Sequence, residues 1–381
     1  MKMKIAIIDP LGSHGGSFHL YTFGQAIGLN NSDIDVSIYT NNFTSNPNNT
    51  KIKTFFFYND IFVKKSKILN GLKWIWGSLK SIFHARFSGT KVFHFHIFYS
   101  NILVLFNLLL VKLIFGKIVL TIHDVNSFSD EGDSPLTTRF VYKFADLIFT
   151  HNEFSKIEIL NIDHKLLHKI YVIPHGNYRP FIDSNKNYKK SRKFLHLPLD
   201  KNILLFFGMI KKVKGLDILL KSLKEVISEL PDTILLIAGK PWEDSFEDYQ
   251  MLIEKYQLHQ HVILHNKFIP QQEVDYYYAS SELVVLPYKK IYQSGVLLMA
   301  LSYEKPVLVS DLPPFKEVIT DNEDGFVFKS ENSSDLSEKI KNILSDRSNL
   351  DRVRKNGIQL VKSKYSWNEI GRKTKIIYQN L

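Results

Sequence analysis

Short apolar runs rich in Ile, Val, Leu and Phe alternate with segments of helical periodicity along the whole chain. Buried strands of a parallel sheet read as continuous apolar runs, and helices connect them. The pattern therefore predicts an α/β protein with parallel sheets. The runs form two series: Ile5 to Asp9, Val36 to Tyr39, Val92 to Phe98, Ile118 to His123, Leu147 to His151 and Ile170 to Pro174, and then Ile203 to Gly208, Ile234 to Gly239, Val262 to Leu264, Leu283 to Pro287, Pro306 to Val309 and Gly325 to Phe328.

The two series predict two domains, because 381 residues exceed one ordinary hydrophobic core. Residues 1–182 form the first α/β domain, and residues 201–365 form the second. The segment 183–200 is polar, basic and without apolar periodicity, so we interpret it as a basic linker. The run Ile102 to Val111 is too short to span a membrane and predicts a buried helix.

The composition excludes several classes of protein. The chain has no cysteine, so disulfide and thiolate metal sites are impossible. The apolar run Ile5 to Ile8 is too short for a signal peptide, which predicts a cytoplasmic protein. The net charge of +11 is concentrated in the first half and suits an anionic surface or an acidic ligand. Nucleic acid is not an expected partner, because no recognition motif for it is present.

Three strand-to-helix turns are candidate anion sites. Gly12 to Gly16, which includes His14 and Gly15, follows the first strand; Gly208 is followed by Lys211, Lys212 and Lys214; and Gln293-Ser294-Gly295 precedes the helix that begins near Val296. Backbone N–H groups at such turns and at helix N-termini bind phosphates. Each turn also has a plain interpretation, as a tight turn that needs glycine or as a solvated run of charge. Their joint presence favours phosphate binding.

Two histidines stand at predicted strand ends, in Thr121-Ile122-His123-Asp124 and in Pro174-His175-Gly176-Asn177. Polar residues at the carboxyl ends of parallel strands face the ligand crevice of open α/β sheets. A histidine with a purely structural role is the alternative for both. His94 and His96 alternate along one strand without carboxylate or cysteine partners at ligand spacing, so we expect no metal site.

Residues 64–86 predict an amphipathic helix. Its apolar face includes Ile68, Leu72 and Trp76, while Lys65, Lys73, Lys80 and Arg86 lie off that face. Basic residues beside tryptophan suit the interface of an anionic membrane. The same pattern also suits a helix packed on the core of the first domain. The membrane interpretation predicts a peripheral protein at the inner face of the cell membrane.

From about Ile203 onward, the chain resembles the donor-binding domain of family 4 glycosyltransferases (glycosyl transferases group 1). The resemblance rests on Gly208 with Lys211 and Lys214-Gly215, Ala238-Gly239-Lys240-Pro241, Leu264 to Ile269 with Phe268, Leu286-Pro287-Tyr288, Gln293-Ser294-Gly295-Val296, Lys305-Pro306 and a segment containing Glu317. It implies the GT-B fold, in which two Rossmann-like domains face each other. It also implies that the C-terminal helix, within 366–381, packs back on the first domain.

The resemblance further assigns roles. Lys211 and Lys214 would bind the donor diphosphate and help the leaving group; Gly15, Gly16, Gly208, Gly239, Lys240, Phe268, Ile269, Tyr288, Gln293, Ser294, Gly295, Val296 and Glu317 would also contact the donor. His123 and Asp124 would be catalytic, and His14, His175 and Asn177 would lie on the acceptor side. The family often carries two glutamates where Ile291 and Met299 stand here, and a glycine where Glu304 stands. The donor-sugar contacts therefore differ from the family pattern.

The implied reaction is metal-independent, retaining transfer of a hexose from a UDP- or GDP-sugar, without a cofactor, to a glycan or lipid-linked acceptor, as in polysaccharide biosynthesis. Two other interpretations are open. One is a non-catalytic glycosyltransferase-like subunit, which the apolar Ile291 and Met299 favour. The other is a nucleotide-sugar epimerase on the same fold, whose catalytic carboxylates we do not find in the sequence.

Overall fold

The computed structural model describes residues 2–47, 50–63, 66–125, 134–182, 187–242 and 245–381. Thirteen strands are present in these ranges: β1 Lys4–Asp9, β2 Asp35–Asn41, β3 Lys53–Tyr58, β4 Val92–Ile97, β5 Lys117–Ile122, β6 Leu147–Thr150, β7 Ile170–Val172, β8 Asn202–Phe207, β9 Thr233–Ala238, β10 Val262–His265, β11 Leu283–Leu286, β12 Val307–Ser310 and β13 Phe326–Phe328. Every predicted strand is confirmed.

The α-helices of the same ranges are α1 Phe18–Asn31, α2 Lys67–Phe87, α3 Ile102–Leu113, α4 Pro135–Phe144, α5 Glu153–Ile162, α6 Tyr188–Phe194, α7 Leu216–Glu229, α8 Glu247–Lys255, α9 Gln271–Ser280, α10 Gly295–Ser302, α11 Pro313–Lys316, α12 Ser333–Ser345, α13 Arg347–Ser363 and α14 Trp367–Tyr378. Short 3₁₀ turns, among them Gly12–Gly15 and Lys212–Lys214, connect several of them. The chain divides into a first unit, residues 1–176 and 365–381, and a second unit, residues 177–364.

The first unit contains a seven-stranded sheet in the order β3-β2-β1-β4-β5-β6-β7. All of its neighbouring strands pair in parallel. The sequence pattern missed β3, because Lys53–Tyr58 is an edge strand whose residues are mostly exposed or half-buried. The carboxyl ends of β4, β5, β6 and β7 lie side by side at one edge of this sheet, which places the residues that follow them together.

The C-terminal helix α14 belongs to the first unit and packs on α1. Glycines permit the close approach of the two helices. A Cβ atom on Gly28 would lie 2.1 Å from the carbonyl oxygen of Trp367, and one on Gly371 would lie 2.1 Å from that of Gly28. Neither position therefore accepts a side chain without moving a helix.

The expectation of a buried helix at residues 102–111 is wrong in part. Helix α3 buries Asn107, Leu108 and Val111, whereas Ile102 is 72% exposed and Leu113 is 73% exposed. An apolar run does not distinguish a buried helix from one that shows an apolar face to its surroundings. No helix within the described ranges is both long enough and apolar enough to cross a bilayer.

The second unit contains a six-stranded parallel sheet in the order β10-β9-β8-β11-β12-β13. Residues 187–200, which we interpreted as linker, lie in this unit and include α6. Arg192 of α6 is fully buried, donates two hydrogen bonds of 2.9 Å to the carboxylate of Glu282, and donates others to three backbone carbonyls. Residues 183–186 and Lys65 lie outside the described residues.

Candidate functional site

The loops that follow β8, β9 and β11 meet at the carboxyl edge of the second sheet. Gly208 has a left-handed φ of 97°, and a Cβ atom placed on it would lie 3.5 Å both from Lys214 Nζ and from Val296 Cγ2. A Cβ on Gly239 would collide with the carbonyl oxygen of Gly208, and one on Gly215 with that of Pro287. Glycine thus allows three loops to approach one another, and the predicted anion sites of this unit converge.

Two lysine ammonium groups of one loop lie on aromatic rings. Lys211 Nζ is 4.5 Å from the centre of the Trp242 ring, and Lys214 Nζ is 5.5 Å from that of Tyr288. Burial, and then the neighbouring charge of Lys211, lower the pKa of Lys214 to about 8. Within the described part of the chain, Lys214 makes no ion pair. A desolvated cation beside a second cation is unfavourable unless an anion joins them, so this loop suits an anionic ligand.

The first turn of α10 adds backbone donors beside these lysines. The Ser294 hydroxyl accepts a hydrogen bond of 3.1 Å from the N–H of Leu297 and so caps the helix. The other first-turn N–H groups, including those of Gly295 and Val296, have no acceptor within the helix. Gln293 Nε2 is buried and has no partner among the residues described. Lys214 and the first turn of α10 therefore both lie beside Gly208, and Gln293 is two residues before Gly295. A diphosphate suits this combination of a cation and backbone donors.

Four further residues were predicted to contact the donor, and the backbone of one of them, Lys240, joins the lysine loop. The Lys240 carbonyl accepts a hydrogen bond of 2.9 Å from the Ile210 N–H, and the Lys240 side chain is exposed. Phe268 is 63% exposed, whereas Ile269 is buried. The Glu317 side chain is exposed at the end of α11. The roles of these residues remain predictions from the resemblance.

The positions that depart from the family pattern are apolar and buried. Ile291 is 8% exposed and Met299 is 5% exposed, so both belong to the packed interior of the second unit. Glu304 adopts a left-handed φ of 59°, a conformation that glycine reaches without strain. The backbone at position 304 thus has a conformation that suits glycine, although the residue is Glu304. The two carboxylates of the family pattern are absent, because Ile291 and Met299 stand in their places.

In the first unit, the glycine-rich turn is held by hydrogen bonds from its neighbours. Asp9, at the end of β1, accepts hydrogen bonds of 3.0 Å from the Gly12 N–H and 2.9 Å from the Thr22 hydroxyl. A side chain on Gly12 would collide with Thr44 Oγ1. Gly16 has a left-handed φ of 74° and open space beside it. Gly12 is therefore a packing requirement, whereas Gly16 leaves room next to the turn.

The exposed His14 ring stacks on Phe62, with 3.8 Å between ring centres. After the turn, Phe18 of α1 packs edge-on against His96 and His123, with ring centres 5.3 and 4.8 Å apart. The start of α1 is therefore in contact with histidines from the strand ends of the same sheet.

These histidines form a buried cluster. His96 Nδ1 lies 3.1 Å from His123 Nε2, and His123 Nδ1 lies 3.0 Å from His151 Nε2. The ring centre of His175 lies 5.4 Å from that of His151, and Tyr21 packs against all four rings. Burial, together with the neighbouring imidazoles, lowers the pKa of His96, His123 and His175 well below 6.5, and burial lowers that of His151 to about 4. The cluster is neutral at pH 7.

Within the first unit, the structure brings together two of the predicted catalytic and acceptor-side residues. His123 and His175 share the cluster, and Asp124 directly follows His123 as a half-buried residue. Asn177 lies in the second unit, where its amide donates a hydrogen bond of 2.8 Å to the carbonyl of Val361. Sequence reasoning missed His151, although it directly follows β6 as His123 directly follows β5. Histidines recurring at successive strand ends were the available signal.

The fold and the site define the class of protein. Two parallel α/β units, with converging glycine and lysine loops in the second, match the GT-B glycosyltransferase fold. The whole chain superposes on HepE of Anabaena in complex with UDP and glucose with a TM-score of 0.76 at 17% identity, covering 100% of each chain, which shows the fold.

The second unit also has a match in sequence. Residues 187–360 match the family model described as Glycosyl transferases group 1. The chain is 24% identical over 194 residues to spore coat protein SA of Bacillus subtilis, covering 47% of this chain and 49% of the relative. It is 25% identical over 196 residues to the capsular polysaccharide biosynthesis glycosyltransferase CapM of Staphylococcus aureus, covering 50% and 49%. The chain thus spans about half the length of each of these curated relatives.

Proposed function

We propose that the protein is a retaining, metal-independent glycosyltransferase that uses a UDP- or GDP-sugar. The observation that carries the proposal is the pair Lys211 and Lys214 beside the first turn of α10, because Lys214 is desolvated next to a like charge and makes no ion pair within the described residues. A nucleoside diphosphate supplies two adjacent phosphates to such a site. The family match of residues 187–360 and the UDP and glucose bound by HepE support this choice.

In the proposed reaction, negative charge grows on the diphosphate as the bond to the anomeric carbon breaks. Lys211 and Lys214 stabilise that charge by electrostatics, and the N–H groups of Gly295 and Val296 donate hydrogen bonds to it. Preorganised donors of this kind are often the largest single contribution to catalysis. Neither a metal ion nor another cofactor is needed in this scheme. On the first unit, the histidine cluster and Asp124 lie on the acceptor side.

The first experiment measures UDP and GDP binding by isothermal titration calorimetry in the wild type and in Lys214→Ala. Removing one charge-assisted contact to a desolvated phosphate costs about 2 kcal/mol or more, so we expect affinity to fall by at least about tenfold. Lys221→Ala is the matched control, since it removes the same charge from an exposed position of α7. Equal affinities in wild type and Lys214→Ala would refute the diphosphate site.

The buried Ile291 and Met299 favour a second candidate, a non-catalytic glycosyltransferase-like subunit. Such a protein would bind nucleotide through the lysine loop but would not turn the donor over. Donor hydrolysis or transfer, measured with UDP-glucose and GDP-mannose, separates the two functions. Turnover that is lost in Lys214→Ala and kept in Lys221→Ala supports the enzyme. Binding without turnover of any donor in a panel of UDP- and GDP-sugars supports the subunit.

The proposed acceptor is a glycan or a lipid-linked sugar at an anionic membrane surface, with the protein peripheral on its cytoplasmic side. Helix α2 buries its small residues Gly77, Ser78 and Ala85 and exposes Ile68, Leu72 and Trp76 by 58% or more. The neighbouring helix α3 exposes Ile102 and Leu113. Large apolar side chains that point away from the core are typical of a surface that enters a lipid headgroup layer.

Basic residues of α2 accompany this apolar face. Lys80 Nζ lies 5.2 Å from the centre of the Trp76 ring, and Lys73 is half-buried on the same helix. Each lysine near an anionic leaflet contributes about 1 kcal/mol. The role of the relative CapM in capsular polysaccharide biosynthesis is consistent with an acceptor held at a membrane.

Vesicle sedimentation tests the membrane part. With phosphatidylglycerol vesicles at low salt, Lys73→Glu with Lys80→Glu should lower partitioning by at least about 2 kcal/mol, or about thirtyfold. The matched control is Lys221→Glu with Lys224→Glu, which changes net charge equally on the second unit. If the wild type ignores these vesicles, or if both double variants lose binding equally, α2 does not dock on membranes.

A further inference from the structure

Three imidazole rings of the first unit form one continuous line of hydrogen bonds. His96 is the next-to-last residue of β4, and His123 and His151 directly follow the adjacent strands β5 and β6. The line finishes on the backbone after β7. His151 Nδ1 lies 3.1 Å from the carbonyl oxygen of Ile173, His123 Nδ1 lies 3.0 Å from His151 Nε2, and His96 Nδ1 lies 3.1 Å from His123 Nε2. The parallel register of the four strands produces this regular spacing.

The carbonyl at the end of the line determines where each proton lies. A carbonyl oxygen only accepts, so the proton of neutral His151 is on Nδ1, and its Nε2 must accept. His123 Nδ1 therefore carries the proton that it donates to His151, which leaves His123 Nε2 as an acceptor. His96 Nδ1 must then donate to His123. Burial keeps all three rings neutral at pH 7, so this order has no competing protonated form.

We propose that His151 and His96 are positioning residues for His123, and that the Ile173 carbonyl, acting through them, holds all three rings as the Nδ1-protonated tautomer. Both ring nitrogens of His123 are engaged in this arrangement, which fixes the plane of the ring as well as its tautomer. His96 Nε2 is the ring nitrogen at the open end of the line, and it has no hydrogen-bond partner within the described residues.

The proposal changes the role expected of His123. A ring whose two nitrogens are both occupied cannot hydrogen-bond to a ligand hydroxyl. Among the three rings of the line, the lone pair that has no partner within the described residues is that of His96 Nε2, and this atom is buried. The assignment of such a ligand to this unit rests on the proposed function, but the proton order does not, because it follows from the hydrogen bonds alone.

The experiment records ¹⁵N spectra of the full-length protein labelled at histidine, with signals assigned from single histidine variants. Protonated and unprotonated ring nitrogens give well-separated ¹⁵N signals. We expect protonated Nδ1 and bare Nε2 for His96, His123 and His151 at pH 7. Neutral imidazole in water prefers the opposite tautomer, so three such rings are not expected by default. A protonated Nε2 on His123 would overturn the proposal.

A variant of His151, at the end of the line next to the Ile173 carbonyl, tests whether the tautomer of one ring determines that of the next. His151→Leu removes the acceptor for His123, so His123 and His96 should move toward the Nε2-protonated form even though His96 does not contact residue 151 through a hydrogen bond. His151→Gln keeps an acceptor oxygen at nearly the same place and should retain the wild-type pattern. Unchanged His96 signals in folded His151→Leu contradict the proposal.

The outcome does not depend on enzyme activity. If the tautomer pattern is found and no donor is turned over, the proposed function fails while the histidine line stands. If turnover is found and the pattern is absent, the reverse holds. Should His151→Leu fail to fold, the wild-type spectrum alone still decides, because all three rings must carry their protons on Nδ1.

Discussion

His94 gives the sharpest test of the electrostatics of the first unit. Its ring is fully buried, with Nδ1 2.5 Å from the Tyr378 hydroxyl and Nε2 2.7 Å from the Thr121 hydroxyl. Burial lowers its pKa from 6.5 to about 3. The folded protein therefore keeps His94 neutral at acidic pH, where the unfolded chain protonates it.

The sign follows from proton binding. Between pH 6.5 and about 3 the unfolded state binds one more proton at His94, so the free energy of unfolding falls as pH is lowered. The slope for one such group approaches 1.4 kcal/mol per pH unit. Lowering the pH from 6.5 to 4.5 thus removes about 2 kcal/mol through His94, because the unfolded imidazole is already half protonated at pH 6.5. Glutamine at position 94 has an amide donor and an acceptor for the same two hydroxyls but does not titrate.

We expect His94→Gln to reduce the pH slope of the unfolding free energy by about 1.4 kcal/mol per unit between pH 6 and 4.5, whatever its effect at neutral pH. Urea unfolding monitored by tryptophan fluorescence measures this, since Trp74, Trp76 and Trp367 are in the first unit. His259→Gln, at an exposed position of the second unit, is the control. Parallel pH profiles for wild type and His94→Gln would refute the burial argument.

Three further predictions concern the second unit. Because the pKa of Lys214 is about 8 in the free protein and a bound diphosphate raises it, UDP binding at pH 8 should take up protons, which calorimetry in buffers of different ionisation enthalpy detects. Arg192→Met should destabilise the unit by about 3 to 5 kcal/mol in urea unfolding, because it leaves the Glu282 carboxylate without its buried partner; retention of wild-type stability contradicts this. Gly295→Pro should abolish UDP binding, because it removes an amide donor. Gly295→Ala adds a Cβ near Tyr178 but keeps the amide, so it separates the steric effect from the loss of the donor. Met299→Ala should cost about 2 to 5 kcal/mol of stability but retain binding.

The sequence predicts the sheets well because buried parallel strands are apolar on both faces. A short apolar run such as Ile203 to Phe207, with a helix-period segment on its C-terminal side, is typical of a buried parallel strand. The edge strand β3 lacks this signal, since one side of it is solvated. The prediction of a linker at residues 187–200 fails for a different reason. From the sequence, Arg192 is expected to be an exposed charge, and only the fold shows that Glu282 and three backbone carbonyls surround it.

The sequence predicts those site residues that belong to one local motif. It does not predict those that come together only because their strands are neighbours in the sheet. Lys214 and Val296 follow from local motifs, and the structure brings both near Gly208. The histidine line depends on which strands are neighbours in the sheet. His96, His123 and His151 are 27 and 28 residues apart, and only the order β4-β5-β6 places them in hydrogen-bond contact.

The replaced glutamates bear on what the second unit can recognise. A carboxylate near the first turn of α10 would offset part of the positive potential of Lys211, Lys214 and the helix N-terminus, and it would accept hydrogen bonds from sugar hydroxyls. Ile291 and Met299 do neither, and both are buried. We therefore expect the diphosphate to contribute most of the donor affinity and the sugar to add little. If UDP-glucose binds much more tightly than UDP, other side chains must contact the sugar, and the exposed Glu317 is then the first to substitute.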